Sequence, residues 1–207
     1  MSLLITEDVV KAAAGNNGDY KNGVELMNLF YQQRPDLPIS EEVVKAAAGN
    51  IGYYGVGAEI IKLLLQNLGQ SLPISEEVVK IAAGNTGSCG YKIMRLLFEH
   101  EEVSRLISEK VVKAATGNVG NGHEILALLC RRQGPNLPVS EEVVMGAAEN
   151  TGPYGYAIMK ILCRHLGTSL PISERVVKAA AGNTGVYGYR MREVLSQHLA
   201  VSPAVGQ

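Results

Sequence analysis

Residues 39–50 read Ile39-Ser40-Glu41-Glu42-Val43-Val44-Lys45-Ala46-Ala47-Ala48-Gly49-Asn50, and the stretch returns with changes at Ile5, Ile74, Ile107, Val139 and Ile172. Successive starts are 34, 35, 33, 32 and 33 residues apart. A fixed period of that size marks a tandem-repeat protein, in which each unit buries its apolar face against its neighbours. The expected fold is all-α, an α-solenoid of six helix-loop-helix tandem repeats of about 33 residues. The repeats are 5–38, 39–73, 74–106, 107–138, 139–171 and 172–207, forming a single helical-repeat domain over 1–207.

Within the second copy, Ser40 is an N-cap whose hydroxyl can accept from a free backbone N–H of the first turn. Glu41 and Glu42 follow where negative charge meets the positive end of the helix dipole. Ile39, Val43, Val44, Ala47 and Ala48 share one helical face. Gly49-Asn50 stops this helix A, both residues tolerating the left-handed conformation that ends helices. A loop through 51–57 leads to helix B, expected from about Ala58 to Leu68. Helix B is apolar on most faces and therefore buried between neighbours. Gly69 breaks it, and Leu72-Pro73 leads to the next cap. Leu37-Pro38, Leu137-Pro138 and Leu170-Pro171 repeat that lead-in, and Val103 and Leu106 replace it in the third copy. The first copy carries Ile5, Val9 and Val10, which read as interior residues. They point to a piece of a longer array, or to one that self-associates through its ends.

The hydrophobic share is 46% and the net charge −1, so nothing draws the whole chain to nucleic acid or acidic lipid. No apolar run approaches the ~20 residues of a membrane span. The first residues hold neither a basic start nor a cleavage site. Cys89, Cys130 and Cys163 have no paired spacing and read as free thiols. A cytoplasmic location without membrane contact is the expectation.

At Glu-Glu-Val-Val-Lys-Ala-Ala-Ala-Gly-Asn, with Asn-Gly-His-Glu-Ile-Leu-Ala-Leu-Leu-Cys-Arg-Arg-Gln-Gly at 121–134, the chain resembles known modules. It is similar to the short α-helical repeats found C-terminally in many fungal ankyrin-type and NACHT-type nucleotide-binding proteins, intracellular NLR-like sensors. The resemblance implies a scaffold for ligand or partner binding and carries over no catalytic residues. TAL-effector DNA-binding repeats are a second likeness, with a short first helix holding Val-Val and then Asn, a variable residue and Gly. Here that triplet is Asn16-Asn17-Gly18, Asn50-Ile51-Gly52, Asn85-Thr86-Gly87, Asn118-Val119-Gly120, Asn150-Thr151-Gly152 and Asn183-Thr184-Gly185. The Gly-Lys-Gln that meets phosphate in those repeats is missing. The spacing from Asn to helix B also varies, which a one-base-per-repeat code does not tolerate. A TAL-like DNA reader is therefore the alternative, and nucleic acid is not the expected partner.

No constellation of catalytic residues stands out. His100, His165 and His198 sit near helix B ends, where positive charge suits the dipole, and His123 sits at a helix start. None has metal-ligand spacing. Cys130 and Cys163 occupy equivalent apolar positions and read as core filler. The Glu pairs are explained by their place after a cap. The Gly-rich piece 52–57 follows no strand, so the phosphate-cradle reading fails. No enzyme, cofactor or metal is expected.

Tyrosine rises above this background. Eight of nine lie in the A–B loops or at their edges, among them Tyr20, Tyr53, Tyr54, Tyr91, Tyr154, Tyr156, Tyr187 and Tyr189. Repeats stacked in register would line these rings along one edge. Tyrosine with glycine suits recognition loops, since the ring offers area and a hydroxyl at low entropic cost. The other reading is that each ring packs on the next repeat. Protein or peptide binding on that edge is the expected function, with Tyr53, Tyr54, Tyr91, Tyr154, Tyr156, Tyr187 and Tyr189 as candidate contacts. Asn16, Asn50, Asn85, Asn118, Asn150 and Asn183 are the candidate structural turn residues, acting through the side-chain amide or a left-handed backbone.

Overall fold

Thr6, Ser75, Ser140 and Ser173 cap helix A as their chemistry asks: each side-chain oxygen accepts from the N–H of the residue three on, at 3.3–3.4 Å. A computed structural model describes residues 5–18 and 20–201, without the side chains of Tyr20, Lys21 and Tyr53. Among the described residues there are twelve α-helices, five short 3-10 turns and no strand. The protein is an α-helical repeat solenoid, and its contacts divide into two compact units, Met1–Leu106 and Ile107–Gln207, with three repeats in each.

In the first unit, helices A are α1 (Glu7–Ala14), α3 (Glu41–Ala48) and α5 (Glu76–Gly84); helices B are α2 (Tyr20–Gln33), α4 (Val56–Leu68) and α6 (Gly90–Leu97). Each A packs on its own B, α1 on α3 on α5, and α2 on α4 on α6, giving two helical layers. The second unit repeats this plan. Its helices A are α7 (Glu109–Gly117), α9 (Glu141–Glu149) and α11 (Glu174–Gly182); its helices B are α8 (Gly122–Gln133), α10 (Gly155–Leu166) and α12 (Gly188–Val201). The same three kinds of contact hold it together.

The core lies between the layers. Val43, Val44, Ala47 and Ala48 from α3 meet Ile60, Ile61 and Leu64 from α4, all fully buried. Val143, Val144, Ala147, Ala148, Ile158, Met159 and Leu162 do the same in the second unit. Each large side chain there contributes roughly 1.5–3 kcal/mol by leaving water. The lead-in leucines Leu37, Leu72, Leu137 and Leu170 are buried, and Val103 fills that role in the third copy.

Two expectations need correction. Helix B of the second repeat starts at Val56 rather than Ala58, because Tyr54 and Gly55 (φ 61° and 77°) turn the chain before it. Helix A does not end in a left-handed residue. Gly49 has φ −84°, ψ −5°, and Asn85, Asn118, Asn150 and Asn183 are extended, with φ between −66° and −72°. Glu149 therefore stands unstrained where other copies have glycine. The left-handed turn comes at the other end, where Gly69, Gly134 and Gly167 close helix B at φ 53–54°. No described helix is long and apolar enough to cross a membrane.

Candidate functional site

The A–B loops are built on the repeated asparagine. Its Oδ1 accepts the N–H of the glycine two residues on, at 2.8–2.9 Å in Asn16, Asn50, Asn85, Asn118, Asn150 and Asn183. Its Nδ2 reaches back one repeat. Asn50 donates to the carbonyls of Ala14 and Asn16 (2.9 and 3.0 Å), and Asn85 to Ala48 and Asn50 (2.8 and 3.0 Å). Asn150 donates to Thr116 and Asn118 (2.8 and 3.1 Å), and Asn183 to Ala148 and Asn150 (2.8 and 3.0 Å). In these four repeats the amide closes its own loop and ties it to the loop before.

The glycine of the triplet lets those loops lie in contact. A Cβ at Gly152 or Gly185 would come 2.6 Å from the carbonyl oxygen of Val119 or Thr151. Sequence reading missed the glycine that opens helix B. A Cβ there would lie 2.3 Å from the Asn150 carbonyl at Gly155 and 2.2 Å from the Asn183 carbonyl at Gly188. Its return at Gly23, Gly57, Gly90, Gly122, Gly155 and Gly188 was the available signal. Asn-x-Gly is accounted for by loop stacking, with x exposed, as at Ile51 and Val119.

Counted from that second glycine, the aromatic residues fall into two rows. Tyr91, His123, Tyr156 and Tyr189 follow it; Tyr154 and Tyr187 precede it. The ring after the glycine in one repeat meets the ring before the glycine in the next. His123 stacks on Tyr154 with centroids 4.2 Å apart, and Tyr156 meets Tyr187 edge-on at 5.8 Å. Tyr189, in the last repeat, is 54% exposed. Tyr91 lies beneath Arg95 at 6.0 Å, Tyr54 stands 81% exposed on its left-handed backbone, and the Tyr53 side chain falls outside the described residues.

Arg190 gathers three of these rings. Its guanidinium carbon lies 5.2, 5.3 and 5.8 Å from the centroids of Tyr156, Tyr187 and Tyr189. Its Nε donates to the Tyr189 hydroxyl (3.1 Å) and a terminal nitrogen to that of Tyr156 (3.3 Å). Beside it, an open groove of about 680 Å³ runs between α10 and α12, lined by Lys160, Arg164, Arg190, Glu193 and Cys163 among others. Three cations against one carboxylate make it basic. None of the three cations is in an ion pair among the described residues. The same register one unit earlier holds a salt bridge, Lys92 to Glu59 at 2.5 Å. The residue matching Glu59 beside Arg190 is Ala157, so the carboxylate is absent there.

The helix A lysines differ: Lys11 pairs with Glu42 (3.1 Å), Lys45 with Glu42, Lys80 with Glu77 (2.9 Å), Lys113 with Glu142 (3.0 Å) and Lys178 with Glu174 (2.6 Å).

A model of a family described as a domain of unknown function, DUF7104, matches residues 4–27, 29–53, 63–94, 96–125, 128–159 and 164–188. The chain belongs to the DUF7104 family. Each matched segment holds one helix A and one of the six asparagines, so the DUF7104 unit is framed on helix A with parts of the flanking helices B. No curated protein and no solved structure matches the chain.

The histidines of this DUF7104 array stand at the ends of helices B as expected: His165 lies in the last turn of α10, His198 in that of α12, and His123 in the first turn of α8. His100, just past the end of α6, is buried, its Nε2 3.0 Å from the Gln70 carbonyl; His165 Nε2 lies 2.8 Å from the Gly134 carbonyl. A carbonyl only accepts, so Nε2 carries the proton in both. Burial pushes the thiols of Cys130 and Cys163 up to about 11, which keeps both protonated and poorly nucleophilic at neutral pH. Among the described residues no group of three or more His, Cys, Asp or Glu side chains could hold a metal ion.

Proposed function

We propose that this chain is a non-catalytic recognition scaffold that binds an acidic protein segment along the basic, tyrosine-lined groove of its second unit. The observation that carries the reading is Arg190, held between tyrosine rings and hydroxyls while the carboxylate of its register is replaced by Ala157. A guanidinium fixed in this way presents its remaining donors to a carboxylate at little entropic cost. Tyrosine supplies apolar area around the ion pair. The raised thiol of Cys163 within the same groove favours binding over nucleophilic chemistry. The likeness to repeats of fungal ankyrin-type and NACHT-type sensors supports an intracellular sensing context. The neutralised lysine row of helix A supports protein over DNA as partner.

The test is an anisotropy titration with a labelled Glu-Leu-rich decapeptide, its Lys-Leu counterpart and a random DNA duplex at ~0.15 M salt. The acidic peptide binds, the other two do not, and Arg190→Gln weakens binding about tenfold, or ~1.4 kcal/mol, at unchanged melting temperature. Equal binding of both peptides, or an Arg190→Gln variant that binds like wild type, overturns the reading. A salt-sensitive DNA complex tighter than ~10⁻⁷ M would move it to the DNA alternative.

A further inference from the structure

The fifth repeat departs from the other five at three positions near the end of its helix A. Lys11, Lys45, Lys80, Lys113 and Lys178 share one register, and Met145 stands there in the fifth copy. Ala12, Ala46, Ile81, Ala114 and Ala179 give way to Gly146, and Gly15, Gly49, Gly84, Gly117 and Gly182 to Glu149. Glu149 is the last residue of α9, at the negative end of the helix dipole, where a carboxylate is disfavoured. The cation best placed to offset it, four residues earlier on the same face, is the lysine that Met145 replaces. Glu149 is exposed and makes no ion pair among the described residues. Within one turn of helix an anion has been added and its cation removed.

The same joint is open. In the first unit the glycine near the end of helix A is covered by the next repeat. A Cβ at Gly15 would meet that of Ala46 at 3.6 Å, and one at Gly49 would meet the Cγ2 of Ile81 at 3.3 Å. Between α7 and α9 the two residues in those registers are Gly117 and Gly146, and a Cβ at Gly117 would meet nothing within 4 Å. An open cleft of about 330 Å³ lies there, lined by Lys113, Val119, Glu149 and Thr151 around the two glycines and Asn150. Val119 is 44% exposed and forms an apolar wall. The Lys113 ammonium is held by Glu142 at 3.0 Å, which offsets its charge. Both α7 and α9 end at the cleft, so two negative dipole ends add to the Glu149 carboxylate. Gly146 also makes room for Thr116, whose Oγ1 would lie 2.8 Å from a Cβ there. That accounts for the glycine and leaves Met145 and Glu149 without a structural reason.

We infer that this cleft receives an arginine side chain of a partner protein, its stem over the two glycines against Val119 and its guanidinium on Glu149. The planar, weakly hydrated guanidinium suits a shallow slot better than the compact, strongly hydrated ammonium of lysine. An exposed ion pair alone is worth little, so the slot beside Glu149 is what makes the contact specific. The cleft shares no lining residue with the groove between α10 and α12, and the inference does not rest on the acidic-segment reading. A single side chain in such a site binds with a Kd of roughly 1 mM.

Amide NMR titration of the whole chain tests this, with acetyl-Leu-Arg-Leu-amide as probe beside its lysine counterpart and its uncharged citrulline counterpart. The arginine peptide shifts the Gly117, Gly146 and Thr151 signals to saturation. The lysine peptide binds at least ~3-fold more weakly, and the citrulline peptide does not saturate by ~20 mM. Glu149→Gln weakens arginine binding about tenfold, and Met145→Lys, which restores the usual lysine, weakens it too. Gly117→Leu fills the open space and abolishes it, with the melting temperature of wild type. Arg190→Gln, which removes acidic-peptide binding in the proposed groove, leaves it unchanged. No saturable shift in wild type, citrulline or lysine binding equal to arginine, or a Glu149→Gln or Met145→Lys variant that binds like wild type each overturns the inference.

Discussion

Tyr54 is the one described residue other than glycine with positive φ, at 61°, and its ring is 81% exposed. The left-handed region costs an L-residue roughly 1–2 kcal/mol, and asparagine tolerates it better. Strain held by an exposed aromatic side chain fits a contact residue better than a packing residue. Tyr54→Asn is therefore expected to raise stability by about 0.5–1 kcal/mol in chemical denaturation. A variant less stable than wild type would mean that the ring stabilises the fold. The sequence singled out this tyrosine by composition. Its backbone was not legible, because the turn between Asn50 and helix B has no local signature.

At the scale of the element, the turn after helix A depends on one side chain. Asn150 makes three hydrogen bonds, two to the preceding repeat and one to Gly152. Asn150→Ala leaves buried carbonyls and an N–H without partners and is expected to cost about 2–4 kcal/mol in urea unfolding. Thr151→Ala, next to it and exposed, should stay within about 0.5 kcal/mol of wild type. Equal effects of the two would remove the amide from its structural role. Asparagine was legible as the turn residue because it stands in all six copies. Its manner of acting was not, since its partners lie 32–37 residues earlier, beyond what a single repeat displays. The glutamate pairs show the same limit. Read as dipole partners, they divide the work: Glu41 accepts from Ser75, while Glu42 pairs with Lys11 and Lys45. The burial of His100 was hidden for a similar reason, as its carbonyl partner lies in the preceding repeat.

Across the whole molecule, these exposed carboxylates set the response to acid. Lys45 and then Lys11 hold the Glu42 carboxyl below its ordinary value, and Lys113 does so for Glu142. A carboxyl whose folded pKa is depressed stabilises the fold above its unfolded pKa, and that stability is lost as pH falls through the folded value. The melting temperature should hold from pH 7 to about 5 and fall below about pH 4. Salt at ~0.5 M should shrink the difference, because the pairs are screened. A melting temperature that rises on acidification would contradict this. The tie that each inner asparagine makes between repeats, finally, has a consequence for heredity. Residues 139–171 show Ser140 and the Asn150 amide to one neighbour, and Glu141 and the Asn150 carbonyl to the other. A duplicated copy of that segment would meet the same groups on both sides. Unequal crossing-over can therefore lengthen or shorten the gene by whole units while every joint keeps its chemistry, and copy number is the property such a gene can change most freely.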